Sequence, residues 1–475
     1  METTTARTSA TTTATVHGRA AQGASQRRVA AATLVGTSIE WYDFFIYATI
    51  AGLVFSKLFF EPAGPTVGLI ITFASVGLSF LFRPLGAFLA GHFGDKVGRK
   101  AILVVTLIGM GAATTLIGLL PTYAQIGVAA PILLLLLRVL QGISAGGEWG
   151  GAVLMAVEHA PGDRRGLAGA MPQAGVPLGM LLATGVTALM TGVIAPGDAF
   201  LEWGWRVPFL LSIVLVLVGY LVRRSVDESP VFQEIAEQKE KQSAPIVELF
   251  RRYGGLVVLA AAVFVGNNAM GYMSTGGFIP SYATSDAVGL DPTDVLVAMT
   301  VASCVWLVST VLAGWLSDRI GRKLTYQIGY VWLLLVAVPM FLLIDTGQLG
   351  NLYLALTMVC LGTGLTYGPQ AALYSELFPA SVRFSGVSIA YALGAIFGGA
   401  FAPMIAQWLL NSTGSSMAIS MYLMAVLLLS AVAVSLVRDR RGIDLSVNNQ
   451  AEQEVGATVF DRRPVPAASG VPAAH

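Results

Sequence analysis

The chain has 475 residues, of which 55% are hydrophobic and only 12% charged, and its mean hydropathy is +0.71. A soluble domain carries roughly 25% charged residues, so a soluble globular fold is excluded and a bilayer-embedded one is implied. A net charge of +1 gives no bulk attraction to nucleic acid, and two cysteines and four scattered histidines form neither a disulfide framework nor a metal-ligand spacing.

In chain order, residues 1–29 are rich in Thr and Ala and read as a disordered tail. They lack the short apolar core and cleavage site of a secretory signal. Apolar stretches long enough to cross a bilayer follow at about 31–56, 66–92, 101–120, 131–157, 167–193 and 205–222. A polar linker, 223–252, separates them from a second set at about 254–284, 294–316, 325–345, 351–375, 383–410 and 416–437. The expected fold is therefore an all-α membrane protein with twelve transmembrane helices in two six-helix halves, 30–222 and 253–437. The polar stretch 438–475, interrupted by Pro464, Pro466 and Pro472, reads as a second disordered tail. With the N-terminus inside, all of the 28 Lys and Arg except Lys57, Arg83, Arg138 and Arg206 fall on inner segments, so both termini are expected in the cytoplasm.

Charge within a span costs roughly 2.5–3.5 kcal/mol on insertion scales and marks a functional candidate. Span 1 carries Glu40 and Asp43, three residues apart and so on one helical face. Span 2 carries Arg83 at a depth similar to that of Glu40. An Arg facing two carboxylates can hold one ionised and leave the other to take a proton; the alternative is a buried ion pair that fixes spans 1 and 2. Span 4 carries Arg138, Gln141 and Glu148. A guanidinium suits bidentate capture of a carboxylate; the alternative is that Arg138 bonds backbone carbonyls of a neighbouring span. Glu148 lies among Gly146, Gly147, Gly150 and Gly151, where close helix packing accounts for it as well as a proton role does. Glu40, Asp43, Arg83, Arg138 and Glu148 are the candidate proton-coupling residues.

Hydroxyls, amides and aromatic rings inside spans suit hydroxylated or carboxylate ligands. Arg138 and Gln141 are joined as candidate substrate contacts by Tyr47 in span 1, Gln173 in span 5, Asn267, Asn268 and Tyr272 in span 7, Tyr367 and Gln370 in span 10, and Tyr391 in span 11. Each could equally serve an interhelical hydrogen bond, worth about 0.6 kcal/mol.

The chain repeats itself. Gly91-His-Phe-Gly-Asp95-Lys-Val-Gly98-Arg99-Lys100 matches Gly314-Trp-Leu-Ser-Asp318-Arg-Ile-Gly321-Arg322-Lys323, each copy following the second span of its half. Two parallel halves of this kind are a transporter plan. The pattern Gly-x3-Asp-x2-Gly-Arg-Lys, present twice, resembles the signature of the major facilitator superfamily. Glu40-Trp-Tyr-Asp-Phe-Phe-Ile-Tyr47, Phe82-Arg-Pro-Leu-Gly86, Arg138-Val-Leu-Gln141-Gly142, Gly146-Gly-Glu148-Trp-Gly-Gly151, Glu228-Ser-Pro-Val-Phe232 and Glu376-Leu-Phe-Pro-Ala-Ser-Val-Arg383-Phe-Ser-Gly386 narrow the resemblance to the metabolite:H+ symporter family over about residues 30–440. The shikimate and other organic-acid carriers are the nearest in character.

The resemblance implies a secondary transporter, not an enzyme, in the plasma membrane. It implies import of a small organic acid or similar polar metabolite with protons by alternating access, as a monomer, with no cofactor, no metal and no nucleic-acid partner. By the same resemblance Arg138 belongs to proton coupling. Asp95, Arg99, Asp318 and Arg322 belong to a gate at the cytoplasmic surface, with Glu376 and Arg383 bracketing a loop beside it; the plainer reading is that these basic loops only set topology. Two rivals stay open: a proline or betaine symporter, although the tail lacks sustained heptads, and a proton-driven efflux antiporter, for which Pro172-Gln-Ala-Gly175-Val-Pro177-Leu-Gly179 is a partial span-5 match. A membrane-embedded enzyme would need a paired nucleophile or a metal cluster, and the spans offer neither.

Overall fold

A computed structural model describes residues 31, 33–97, 99–146, 148–224, 245–275, 277–446 and 449–461. The expected N-terminal tail and most of the 223–252 linker lie outside the described residues. Apart from one isolated bridge, Val437 with Thr458, the described residues are helices and their connections.

Among the described residues, ten helices are long and apolar enough to cross a membrane. They are α2 (Glu61–Leu89), α4 (Ala129–Glu158), α5 (Arg165–Ile194), α6 (Phe200–Leu221), α7 (Leu249–Gly271, within the longer helix Pro245–Thr275), α8 (Pro292–Ile320), α9 (Arg322–Ile344), α10 (Leu349–Leu377), α11 (Arg383–Thr413) and α12 (Ser416–Leu436). Two further helices stand where the first and third spans are expected: α1 (33–58) and α3 (Arg99–Leu119), whose apolar part is Val104–Leu119.

Local chemistry sets several ends. Asp291 accepts from the backbone N–H of Thr293 at 2.8 Å and so caps α8, with Pro292 in its first turn. Gly321 turns the chain between α8 and α9 at φ +103°, a left-handed conformation that side chains disfavour. The helices also hold wide five-residue turns, among them Ala51–Phe55 in α1 and Ile396–Ala400 in α11. Such π-type turns are uncommon and concentrate at functional sites.

The halves meet along α5 against α8 and α2 against α11. Small residues make the first seam possible. A Cβ on Gly166 of α5 would stand 2.5 Å from the carbonyl oxygen of Gly314 on α8, inside van der Waals contact. In a bilayer, where lipid tails are as apolar as leucine, this close approach is what draws helices together.

The expected disorder of the tail does not hold for 438–446 and 449–461. This strap folds back across the end of the bundle that carries the Arg and Lys loops, hereafter the basic end. Ile443 and Leu445 alternate into the core, and Gln453 is buried. Arg440 donates to the carbonyls of Glu376, Glu452 and Gln453. Reading the segment by polarity alone misses it, because its order comes from two apolar side chains and long-range hydrogen bonds.

Candidate transport site and gate

Between the halves lies a small cavity of about 20 Å³, lined by Trp41 and Phe45 of α1, Val176 of α5, Phe264, Asn267, Asn268 and Gly271 of α7, Trp306 of α8, Tyr367 of α10 and Tyr391 of α11. That volume holds one water and little more. Four expected substrate contacts, Asn267, Asn268, Tyr367 and Tyr391, are on its wall. Gln173 and Gln370 are in the layer next to it. Gln173 accepts from the Trp149 indole at 2.8 Å and donates at 3.4 Å to the Tyr367 carbonyl and the Gln370 amide oxygen, joining the halves. Trp149 also stacks on Tyr391, ring centroids 3.7 Å apart.

Sequence reasoning missed the aromatic majority: Trp41, Phe45, Phe264, Trp306 and Trp149. Trp41 and Trp149 sit inside motifs whose charged residues drew the attention; nothing in the sequence marks Trp306. The indole nitrogens of Trp41 and Trp306 and the amide nitrogen of Gln370 are buried without a hydrogen-bond acceptor. Buried donors left unmatched cost roughly 1–3 kcal/mol each.

The expected trio of one Arg and two carboxylates splits in two. Arg83 pairs with Glu40 at 3.8 Å, its guanidinium 4.4 Å from the Phe80 ring centroid. Asp43 instead turns to α6 and accepts from the Ser212 hydroxyl at 2.6 Å. Three residues of helix rotate by about 300°, leaving the two side chains about 60° apart, enough to send them to different neighbours. The other Asp43 oxygen, Oδ2, is buried without a hydrogen-bond partner.

Tyr47, Arg138 and Gln141 are away from the chamber wall, inside the N-terminal half. Arg138, 1% exposed, donates to the carbonyls of Ser75 and Val76, to the Ser79 hydroxyl and to Gln141 Oε1, and lies 3.8 Å over the Tyr47 ring centroid. The backbone-carbonyl reading of Arg138 is thus realised. Gln141 donates on to Thr114 at 2.7 Å, and Thr114 stands beside Asp43. Asp43, Thr114, Gln141 and Arg138 form one buried polar chain through α1, α3 and α4.

The basic end is shut by charges shared between halves. Both oxygens of Asp318 accept from the first free N–H groups of α5, Gly166 at 2.7 Å and Leu167 at 2.8 Å, capping that helix from across the interface. Arg322, fully buried, pairs with Asp318 at 2.7 Å and Glu376 at 3.1 Å. Arg383 pairs with Glu158 of the other half at 2.9 Å and donates to Leu445 O and Gln453 Oε1 of the strap. Arg165 donates to the strap carbonyl of Ile443. Asp318, Arg322, Glu376 and Arg383 are therefore brought together as expected. Glu158 and Arg165 were missed, although the sequence carries their signal: Glu158-x2-Pro161-x3-Arg165 repeats as Glu376-x2-Pro379-x3-Arg383. The side chains of Asp95, Arg99, Glu148 and Tyr272 lie outside the described residues.

The opposite end closes without ion pairs among the described residues. Thr300 donates to Thr184 at 2.9 Å, Thr293 donates to Thr191 at 3.1 Å, and a Cβ on Gly277 would stand 2.3 Å from the Ala48 carbonyl oxygen. Both ends are thus closed over the chamber.

A chamber enclosed by apolar spans and closed at each end by contacts between them is the arrangement of a membrane carrier. The Major Facilitator Superfamily model matches residues 33–398, and the chain belongs to that family. It is similar to the inner membrane metabolite transport protein YhjE of Escherichia coli, 39% identical over 88% of this chain and 95% of the relative. The shikimate transporter of E. coli is 36% identical over 87% and 94%, and the proline/betaine transporter of E. coli 32% identical over 84% and 81%. The fold matches the crystal structure of a D-xylose-proton symporter with a TM-score of 0.67 at 19% identity, over 88% of this chain and 99% of that one. This protein is a multi-pass membrane transporter of small metabolites or solutes, not an enzyme.

Proposed function

We propose that the protein is a proton-coupled symporter that imports a small carboxylate-bearing metabolite, an organic acid in the first reading, by alternating access. The carrying observation is Asp43: a buried carboxyl with one oxygen bonded by Ser212, the other unpaired, and a polar chain leading to Arg138. An unpaired anionic oxygen in a bilayer is costly, and a proton on Oδ2 removes that cost. Protonation at Asp43 and release past Arg138 would tie proton movement to rearrangement of the N-terminal half. The substrate carboxylate would accept from Trp41, Trp306 and Gln370 as the chamber widens around it. The basic end faces the cytoplasm, and one chain suffices for transport.

The argument for an acid from membrane-embedded cations is weaker than the sequence suggested, since Arg83 is paired with Glu40 and Arg138 is spent on carbonyls. The aromatic lining favours a second reading: Trp41, Phe264, Trp306 and Tyr391 could hold a quaternary or secondary ammonium by cation–π attraction. A zwitterion such as betaine or proline, with its carboxylate on the indole donors, fits that wall, and relatives named for those solutes are among the matches.

The test is uptake of labelled shikimate, α-ketoglutarate, citrate, benzoate, proline and betaine into proteoliposomes, with and without an inward proton gradient, on wild type and Asp43→Asn. Gradient-stimulated uptake of one compound, lost in the variant while exchange of internal for external substrate persists, is the expected result. Gradient-driven uptake that survives the variant removes Asp43 from coupling. Loss of preloaded compound under the gradient overturns import and favours efflux.

A further inference from the structure

The chamber, at about 20 Å³, admits a water and no metabolite, so a bound substrate has to part contacts that are closed in this form. The contact at its edge between Trp149 of α4 and Tyr391 of α11 has a particular shape. The two rings lie face to face, centroids 3.7 Å apart and planes 12° from parallel. The order continues into the chamber wall: Phe264 lies 4.9 Å and 21° from Tyr391, and Tyr367 lies 6.2 Å and 22° from Phe264. Tyr391, Phe264 and Tyr367 line the chamber, whereas Trp149 is covered by Tyr391 and does not. Trp149 comes from the first of the expected halves and the other three rings from the second, so the Trp149–Tyr391 junction is where this stack crosses between them. Both rings lie about 12–14 Å in from the basic ends of their helices, Glu158 for α4 and Arg383 for α11.

We propose that the rings of Trp149 and Tyr391 part to hold the flat ring of an aromatic carboxylate between them, and that in the empty form they fill each other's place. The inference rests on the alternating-access reading above and narrows its substrate class. Opening the basic end draws α4 away from α11 and strips one face from each ring. Tyr391 keeps Phe264 on its other face, and Trp149 keeps its plane by donating from the indole nitrogen to Gln173 at 2.8 Å. Two rings held parallel in this way separate to leave a slot, not a round pocket. A planar ring at ordinary contact, about 3.5–4.0 Å from each face, fits when they stand about 7–8 Å apart, and it restores the stacking on both faces. A saturated ring puckers, carries hydrogens on both faces and fills the slot less well. The same residues place the polar end. Gln173 donates to Gln370 Oε1 at 3.4 Å, and Gln370 Nε2 is buried without an acceptor. That donor is two hydrogen bonds from the Trp149 indole nitrogen, beyond the rim of the ring, where a carboxylate lying in the plane of the ligand ring reaches it. A trimethylammonium group is best held by a cage of ring faces, and rings within 22° of parallel do not form one. The slot thus favours an acid over a zwitterion such as betaine.

The experiment is equilibrium binding of labelled benzoate to the full chain in detergent, competed by cyclohexanecarboxylate and by betaine. Cyclohexanecarboxylate keeps the carboxylate and the six-membered ring and loses only the planarity. Wild type, Trp149→Phe and Trp149→Leu are compared, and thermal melting checks folding. Wild type should prefer benzoate over cyclohexanecarboxylate at least tenfold, about 1.4 kcal/mol. Trp149→Phe should keep most of that preference, and Trp149→Leu should bring it within twofold, with the loss falling on benzoate. A second readout is quenching of tryptophan emission by 4-nitrobenzoate, which should shrink in Trp149→Leu. A preference unchanged in Trp149→Leu, an equal loss of both acids in a folded Trp149→Leu, tighter binding of betaine, or no binding of benzoate to wild type each overturns the proposal. The two readings fail separately. Gradient-driven uptake of an aliphatic acid, lost in Asp43→Asn, with no preference for the planar ring, keeps symport and removes the ring slot. Benzoate binding that depends on Trp149, with no gradient-stimulated uptake, does the reverse.

Discussion

Replacing Asp318 by Ala should open the basic end without unfolding the protein. Asp318 is the one described side chain that caps α5 from the other half, accepting from Gly166 N and Leu167 N. An N-cap is worth roughly 0.5–2 kcal/mol, and a carboxylate at a helix N-terminus adds about 0.3–1 kcal/mol, more where partly buried. Asp318 is 9% exposed, so the combined loss is about 2–3 kcal/mol, borne by the closed arrangement alone. At about 1.4 kcal/mol per factor of ten, the basic-end-open population should rise roughly 30- to 150-fold. Arg322 keeps Glu376 as its partner, which limits the cost to the C-terminal half. The assay is the rate at which an impermeant maleimide labels Ala170→Cys, a buried site on the α5–α8 seam, in a Cys304→Ser background. Asp318→Asn, which keeps one acceptor, should fall between the two. A rate within twofold of the parent, in a variant that melts as the parent does, would refute the idea that this cap holds the end shut.

Four further outcomes follow from the same geometry. In a double-mutant cycle of Glu158→Gln and Arg383→Gln, read by the same labelling, the coupling should be about 1 kcal/mol, because Glu158 is 26% exposed and water screens the pair; zero coupling would make the pair incidental. Gly166→Val should hinder full closure by about 1–3 kcal/mol of overpacking, giving faster labelling and slower transport, since its Cβ meets the Gly314 carbonyl at 2.5 Å. Removing 438–475 should raise labelling at least as much as Asp318→Ala, because Arg165 and Arg383 lose their strap acceptors and Asp318 O loses its donor Arg441. In the intact strap, the backbone N–H and hydroxyl of Ser446 hold the exposed Asp444 carboxyl below the usual carboxylate range. A lowered carboxylate value contributes stability above the unfolded value near 3.9 and loses it only as pH falls through the folded value. Labelling, divided at each pH by that of the unfolded chain to remove the thiolate fraction, should therefore be flat from pH 5 to 8 on account of this group, and a rise already at pH 6 would point elsewhere.

The apolar spans and the Asp318–Arg322 pair were legible because each leaves a periodic or repeated trace in sequence. Hydropathy has one physical cause in a bilayer, and the gate motif occurs twice. The chamber was only half legible. Asn267, Asn268, Tyr367 and Tyr391 stood out as polar atoms in apolar runs, whereas Phe264 and Trp306 look like any membrane side chain until the halves are brought together. The Glu40–Asp43 pair shows a second limit. Residues three apart share a face only to within about 60°, and that angle decides between Arg83 and Ser212. The strap was illegible for a third reason: its buried apolar side chains are two, Ile443 and Leu445, and its order depends on arginines more than sixty positions away.

The two ends of the bundle close by different physics, and the repeat explains how. Glu158 and Arg165 in one half correspond to Glu376 and Arg383 in the other. The observed pair crosses over, Glu158 to Arg383, and Arg165 lies close enough to Glu376 to feel its charge. Each half thus offers an acid and a base to its counterpart, and closing the basic end forms the Glu158–Arg383 pair while bringing Arg165 within the field of Glu376. Breaking one leaves its partners partly buried and less well matched, so the end is best released as a unit. The opposite end relies on hydroxyl pairs and glycine contacts, each small in energy and separable. Without substrate, the less costly departure from the closed form is therefore opening at that end, with the charged end held until a ligand or proton changes the balance. Under the proposed import, with the basic end toward the cytoplasm, that asymmetry would present the empty site outward.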